Sequence, residues 1–287
     1  MKRPDLACVV LSVGNPPELR VAIRSLMEQD EPVEIVVINS GGGDAAAALA
    51  DFSGVRVLEF EERLLPGGAR NRGIEATSAP YIGFLAADCI AEEGWVRERM
   101  ILHRQGAEAV ASSVTNPFRR NLAAWTSYIS LFNRRMPGAP EHEVIMFGIS
   151  YDRRLFERFG LFREDMRGAE DTEFNERLRG HVEVRWAPQV RTAHRHSRSI
   201  VNLVHDHFRR GRRAAVAWQQ MKKFSTLQIA RIVMMRAPSA VRNSWHAAAP
   251  GEKKWIAAAA LILVLPTLAY ALGTLTHAVA PAKPTDE

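Results

Sequence analysis

The sequence predicts an α/β fold: a mostly parallel, twisted sheet with helices on both faces, followed by a helical, membrane-associated segment. Three observations point there. Short β-prone runs that are apolar throughout recur in the first half of the chain, as strands buried on both faces do. Helix-length intervals with apolar residues at helical spacing separate them. Near the end, Ile256 to Ala280 holds no Asp, Glu, Lys or Arg.

Each element follows in order. Leu6 to Val13 reads as a first strand; it runs straight into Gly14-Asn15-Pro16-Pro17 with no small-residue cleavage site, so no signal peptide is expected. Asn15 offers a cap and the prolines suit a first helical turn, after which Leu19, Ala22, Ile23, Leu26 and Met27 recur at helical spacing. Val33 to Ile38 is a second strand, broken by Gly41, Gly42 and Gly43, and Asp44 can cap the alanine-rich helix beyond. Val55 to Leu58 is a third strand, Arg70 to Ala76 a helix, Tyr81 to Leu85 a strand and Trp95 to His103 a helix. Parallel sheets bind ligands at the carboxyl ends of their strands, where Asn39, Gly67, Gly68 and Asp88 gather. The second part is less regular. Ala109 to Val114 and Val144 to Ser150 are strand candidates, Asn121 to Phe132 an amphipathic helix, and Gly168 to Arg179 a helix that begins with acids. Phe224 to Trp245 mixes apolar residues with Arg231, Arg236 and Arg242, which suits a helix on a membrane surface or an ordinary helix with a solvated basic face.

The 287 residues allow one large domain or two modest ones, and 47% hydrophobic content supports a core. Two cysteines, Cys8 and Cys89, make neither a disulfide framework nor a metal cluster by spacing, which fits a reducing compartment. The formal charge is +6, and Arg191 to Arg213 holds seven arginines against one acid, Asp206. Such a run attracts nucleotide or lipid phosphate. No nucleic-acid-binding motif accompanies it, so nucleic acid is not an expected partner. At about 1.5 Å per residue, the 25 residues from Ile256 to Ala280 cover the roughly 30 Å hydrocarbon core, with a kink at Pro266. A transmembrane helix is therefore expected at about 256–276. Lys253 and Lys254 place the preceding domain in the cytoplasm, as in a single-pass protein of the cell membrane, although Lys283 weakens that asymmetry.

A first strand and helix, then "IVVINSGGGD", "GGARNRGI", "YIGFLAADC" and "GAEDTEFNERL", form a series that resembles the family 2 glycosyltransferases over about residues 6 to 215. The resemblance implies the GT-A fold and inverting transfer from a nucleoside-diphosphate sugar held along the strand tips. It also implies a divalent metal at an Asp-x-Asp motif and a carboxylate base in an acid pair. A UDP-sugar is the first expectation for the donor, and the acceptor is a glycan, lipid or small molecule. On this reading 1–215 is the glycosyltransferase domain, with a donor part at about 1–115 and an acceptor part at about 116–215. A basic amphipathic juxtamembrane region follows at 216–252, then a transmembrane helix and tail at 253–287, with membrane lipids as partners.

The chemistry gives each residue a task. A departing diphosphate must be neutralised, and Mg²⁺ or Mn²⁺ held by hard oxygen ligands does this. Asp88 stands where the last acid of the family's metal motif falls, and Ala86 replaces the first. Some relatives place a histidine near "HRHS" as a further ligand, so His194 or His196 offers compensation. Asn39 stands where the family often has an aspartate that contacts the base; an amide still pairs with uracil, or favours another base. Gly41 and its neighbours permit close approach of backbone to nucleotide, or simply a flexible turn. Gly67 and Gly68 precede a helix start suited to phosphate, and Arg70 and Asn71 match the family's Arg-Asn pair. Inversion needs a base for the acceptor hydroxyl. The second acid of the pair serves in the family, here Asp171, with Glu170 orienting or binding acceptor. Trp125 and Tyr128 are the acceptor-contact candidates. The alternative is a catalytically silent nucleotide-sugar-binding protein, because Ala86 and Asn39 depart from the pattern. A nucleotidyltransferase would want a glycine-rich, lysine-bearing loop after the first strand, which "SVGNPPEL" lacks.

Overall fold

The computed structural model describes residues 3–144, 148–220 and 225–279, and the chain divides into two compact units. The first comprises Met1–Thr115, Val144–Met166 and Glu170–His194. Its elements run β1 (Leu6–Val13), α1 (Leu19–Met27), β2 (Val33–Ser40), α2 (Ala45–Ala48), β3 (Val55–Phe60), α3 (Pro66–Ala76), β4 (Tyr81–Ala86), β5 (Cys89–Ala91), α4 (Trp95–Arg104) and β6 (Ala109–Thr115). The chain then visits the second unit as α5 (Leu122–Phe132) and returns as β7 (Ile149–Asp152), α6 (Arg154–Phe159), α7 (Glu170–Leu178) and β8 (Val184–His194).

The eight strands form one sheet in the order β3-β2-β1-β4-β7-β6-β8-β5. β1 to β4 are mutually parallel, as are β6 and β8, while β7 and β5 run against their neighbours. Side chains of a strand alternate between faces. Leu6, Cys8 and Val10 thus join one core with Ile23 of α1 and Trp95 of α4, and Val9 joins the other with Ile74 of α3, Phe156 of α6 and Phe174 of α7. Apolarity on both faces is what makes these strands read as unbroken runs.

Local chemistry moves several boundaries. α1 begins at Leu19, not at the prolines: Asn15 adopts a left-handed φ of 51° and its Nδ2 donates to the Asp44 carbonyl, so it does not cap. α3 begins four residues earlier than periodicity suggests, with Pro66 in its first turn, so Gly67 and Gly68 lie inside the helix. Asp44 and Asn121 do cap α2 and α5, accepting from Ala47 N and Ala124 N. The strand expected from Val144 shortens to β7, and part of it, 145–147, lies outside the described residues. β5, α6 and β8 have no counterpart in the sequence reading. β8 hides because its residues alternate in exposure and because the chain bulges at Pro188, where the register with β6 shifts at Ser112/Ser113.

The second unit comprises Asn116–Glu143, Arg167–Ala169 and Arg195–Glu287, and is helical. Besides α5 it holds α8 (Ile200–Gln220), α9 (Thr226–Ala247), α10 (Lys253–Ile262) and α11 (Val264–Val279). Residue 215, the expected domain limit, falls inside α8, which carries the last four arginines of the basic run, Arg209 to Arg213, and continues to Gln220. A Cβ on Gly211 would collide with the Tyr270 carbonyl, and one on Gly273 with the Phe208 carbonyl, so paired glycines let α8 and α11 pack backbone to backbone. Among the described residues no single helix is long and apolar enough to cross a membrane; Pro250–Ile262 and Val264–Thr276 meet that test only as a pair bent by 47°. Pro266 accounts for the break, since its ring nitrogen cannot donate to the Ile262 carbonyl four residues back. Ala280, the expected end of the span, lies outside the described residues.

One buried polar network underlies α4. Arg99 stacks over Trp95 and donates to the carbonyls of Val110 and Gly148. His103 Nδ1 lies 2.7 Å from the Ala107 carbonyl, which can only accept, so Nδ1 carries the proton and Nε2 accepts from Ser150 Oγ at 2.8 Å. Burial pushes the imidazole down to about 4. Its folded pKa lies below the unfolded one, so its stabilisation is full above pH 6.5 and is lost as pH falls towards about 4. Urea titrations across that window should show stability declining with acid, and His103→Asn should flatten the slope.

Candidate active site at the strand tips

The tips of β1, β2 and β4 lie level. Leu11 is paired with Ala86 and Ser12 with Asn39, and Ala87 N donates to the Leu11 carbonyl at 2.9 Å. The chain turns at Ala87 and Asp88 into β5, whose antiparallel pairing with β8 sets Cys89 opposite His194. That register carries His194 Nε2 to 3.6 Å from Asp88 Oδ2. The Cys89 thiol lies 3.6 Å from Asp88 Oδ1, and one ligand atom from each of the three residues falls within a 4.8 Å cluster. The Asp88 side chain is 49% exposed, so the cluster opens to solvent. Carboxylate oxygen and imidazole nitrogen fit a divalent ion such as Mn²⁺, and the thiol adds a softer donor. Cys89, set aside by spacing, is thus a candidate ligand. The adjacent "DC" was its only sequence signal, because the third partner comes from a strand far along the chain. Cys8, by contrast, is fully buried, and burial pushes its thiol up to about 12.

Of the two histidines, only His194 joins this cluster. His196 is buried in the helical unit, with Nδ1 at 3.2 Å from Ser127 Oγ and its ring against Tyr128 and Phe132.

Asn39 lies at the neighbouring tip, that of β2. Its Oδ1 accepts from Asn15 N at 3.2 Å and its Nδ2 donates to the Gly42 carbonyl at 3.0 Å, so both ends of the amide tie together the loops after β1 and β2. A backbone N–H and a carbonyl leave no ambiguity about which end is oxygen. Gly43 requires its glycine: φ is 85°, and a Cβ would stand 2.8 Å from that of Asn15. Gly41 is also left-handed, at φ 76°.

α3 and α7 meet beside these tips. Gly67 packs so closely on Arg163 that a Cβ would strike its carbonyl, whereas Gly68 has room. Asn71 is buried; its amide donates to the Phe162 carbonyl and Glu164 Oε1 and accepts from Phe162 N, bracing α3 against that segment. Both residues are engaged inside the protein. Arg70 forms an ion pair with Glu170 at the start of α7, and its guanidinium rests over Phe84 and Phe162. Ala169, left-handed at φ 63°, immediately precedes the acid pair. Glu170 is buried and paired, while Asp171 is partly exposed, with Oδ1 accepting from Thr172 N at 2.7 Å. The two acids therefore occupy different environments. Trp125 and Tyr128 belong to the helical unit and are buried edge to face, the indole donating to the Arg119 carbonyl.

The glycosyl transferase family 2 model matches residues 8–160, more than half of the chain. The chain is a family 2 glycosyltransferase. Its sheet is the mostly parallel, curled sheet of the GT-A fold. Succinoglycan biosynthesis protein ExoU of Rhizobium meliloti (strain 1021) is 32% identical over 117 residues, 39% of this chain and 34% of that protein. The uncharacterized glycosyltransferase EpsJ of Bacillus subtilis (strain 168) is 28% identical over 193 residues, 60% of this chain and 55% of its own length. The chain thus spans from a third to just over half of these curated relatives. Among solved structures, the mannosyltransferase PcManGT from Pyrobaculum calidifontis, in complex with GDP-Man and Mn²⁺, superposes with a TM-score of 0.57 at 18% identity, covering 99% of this chain and 77% of that one. S. aureus TarS 1–349 in complex with UDP gives 0.50 at 15% identity, over 74% and 64% of the two chains.

The Asn39 amide yields a direct test. Asn39→Asp cannot donate to the Gly42 carbonyl and should lower unfolding free energy by about 1–3 kcal/mol, read by urea denaturation. Unchanged stability would show that the loop bridge carries no weight.

Proposed function

We propose that this glycosyltransferase inverts the anomeric centre as it moves sugar from a nucleoside-diphosphate donor, a UDP-sugar first, to a growing glycan. The Asp88–Cys89–His194 cluster carries this reading, because it assembles metal-ligand atoms at the strand tips although Ala86 replaces one acid of the motif. The complexes of the fold neighbours with GDP-Man and Mn²⁺ and with UDP support a nucleotide donor and a divalent ion. The name of ExoU, a succinoglycan biosynthesis protein, supports a glycan acceptor.

Asp88 and His194 would hold Mg²⁺ or Mn²⁺, with Cys89 beside them. The bound ion neutralises the charge of the leaving diphosphate. Asp171 acts as the base: Thr172 N–H fixes its Oδ1, which leaves Oδ2 to take the proton of the acceptor hydroxyl. Glu170 is buried against Arg70 and serves as the positioning acid that sets the first turn of α7. Gly41, Gly68 and the Arg70 guanidinium line the donor side.

Three substitutions test the roles separately. Asp171→Asn should lower kcat by about 100-fold or more while leaving donor affinity nearly unchanged, as removal of a base does; full turnover in this variant would take Asp171 out of the mechanism. Asp88→Ala should abolish Mn²⁺-dependent binding of a UDP- or GDP-sugar in calorimetric titration, and Ala86→Asp should preserve or tighten it. Metal and donor binding by Asp88→Ala equal to the parent would overturn the proposed site.

A further inference from the structure

We infer that the helical unit rests on an anionic lipid surface through the exposed apolar face of α11 and the basic, tryptophan-bearing face of α9, without crossing the bilayer. The first observation is the one-sidedness of α11. Its exposed residues, among those whose side chains are described, are Val264, Leu265, Leu268, Leu272 and Leu275, each between 40% and 56% exposed. At 100° per residue they fall within an arc of about 100°, an apolar stripe with no polar member. Leu261, at the end of α10, is 81% exposed and precedes the bend.

The other side of α11 explains why the segment lies on the surface. There Gly273 and Thr274 pack on α8, with Thr274 Oγ1 donating to the Gly211 carbonyl at 3.3 Å. Around that contact α8 carries Arg209, Arg210, Arg212 and Arg213, with Asp206 paired to Arg210 at 2.7 Å. A crossing α11 would draw this charged helix into hydrocarbon, where each such side chain is costly. The 47° bend between α10 and α11 also suits a path along an interface. A helix pressed to protein on one side and bare leucine on the other has the geometry of a monotopic anchor.

Charge selects the occupant. Residues 225–276 carry five arginines and lysines against one acid, Glu252. Leu227, Arg231, Met235, Pro238, Arg242 and Trp245 recur on one exposed side of α9, so apolar anchors alternate with cations. Lys253 Nζ sits 5.3 Å over the Trp245 ring, an aromatic and a cation together as at a headgroup layer. A second copy bearing the same positive excess would be repelled, whereas anionic lipid answers both features.

The full-length protein, added to preformed vesicles, tests this in a flotation assay run beside calorimetric donor binding. It should float with phosphatidylcholine–phosphatidylglycerol vesicles, far less with phosphatidylcholine alone, and less as salt rises. Leu268→Glu with Leu272→Glu should cut partition by about tenfold or more, with the circular dichroism spectrum and donor affinity unchanged. Arg231→Ala with Arg242→Ala should reduce the preference for anionic vesicles. A membrane-impermeant thiol reagent should label the cysteine introduced by Glu287→Cys from the side on which protein was added, Cys8 and Cys89 being buried. The inference fails if the parent binds neither vesicle or if the glutamate pair leaves binding intact. It fails equally if the reagent is excluded, which means a span, or if the parent is a dimer in solution that the glutamates dissociate. Loss of flotation with donor binding retained separates this inference from the proposed reaction.

Discussion

The antiparallel pairing of β5 with β8 is the contact on which the site depends. β5 is three residues long, yet it alone fixes Cys89 opposite His194 and so delivers an imidazole to Asp88. The pairing is possible because β8 continues past its bulge at Pro188 and regains register with β6 at Arg191. A slip of one residue would turn His194 to the other face of the sheet, since side chains alternate strictly. The gathering of potential ligand atoms around Asp88, with Ala86 two residues before it, is thus a matter of strand register.

The acid pair rests on a second contact of the same kind. Arg70, held between Phe84 and Phe162, reaches Glu170 across the chain and leaves Asp171 as the solvent-facing member. Asn71 and Gly67 fix α3 on the 162–164 segment, so the arginine is aimed by packing on both sides. Three neighbouring residues of one motif divide the work: close approach, charge and bracing.

What the sequence shows on inspection is the part governed by local rules. β1 has the limits its apolar run predicts, and Asp44 caps as expected. Local rules fail where a distant partner decides. Asn15 has the chemistry of a cap, but Asp44 and Asn39 claim its amide and its backbone N–H. Cys89 shows nothing by spacing because its relation to metal chemistry exists only through β8. β8 is masked by its alternating exposure and the bulge at Pro188, and α8 by its cluster of arginines at 209–213. The uncharged C-terminal stretch reads as one span until Pro266 divides it and α8 covers one side.

Mn²⁺ electron spin-echo spectroscopy of the protein with nucleoside diphosphate tests the account most directly, because it reports nitrogen bound to the ion. The geometry of Asp88 and His194 predicts imidazole nitrogen coupling in the parent and its loss in His194→Ala. A parent spectrum without nitrogen coupling, or one that His194→Ala leaves unchanged, would contradict it.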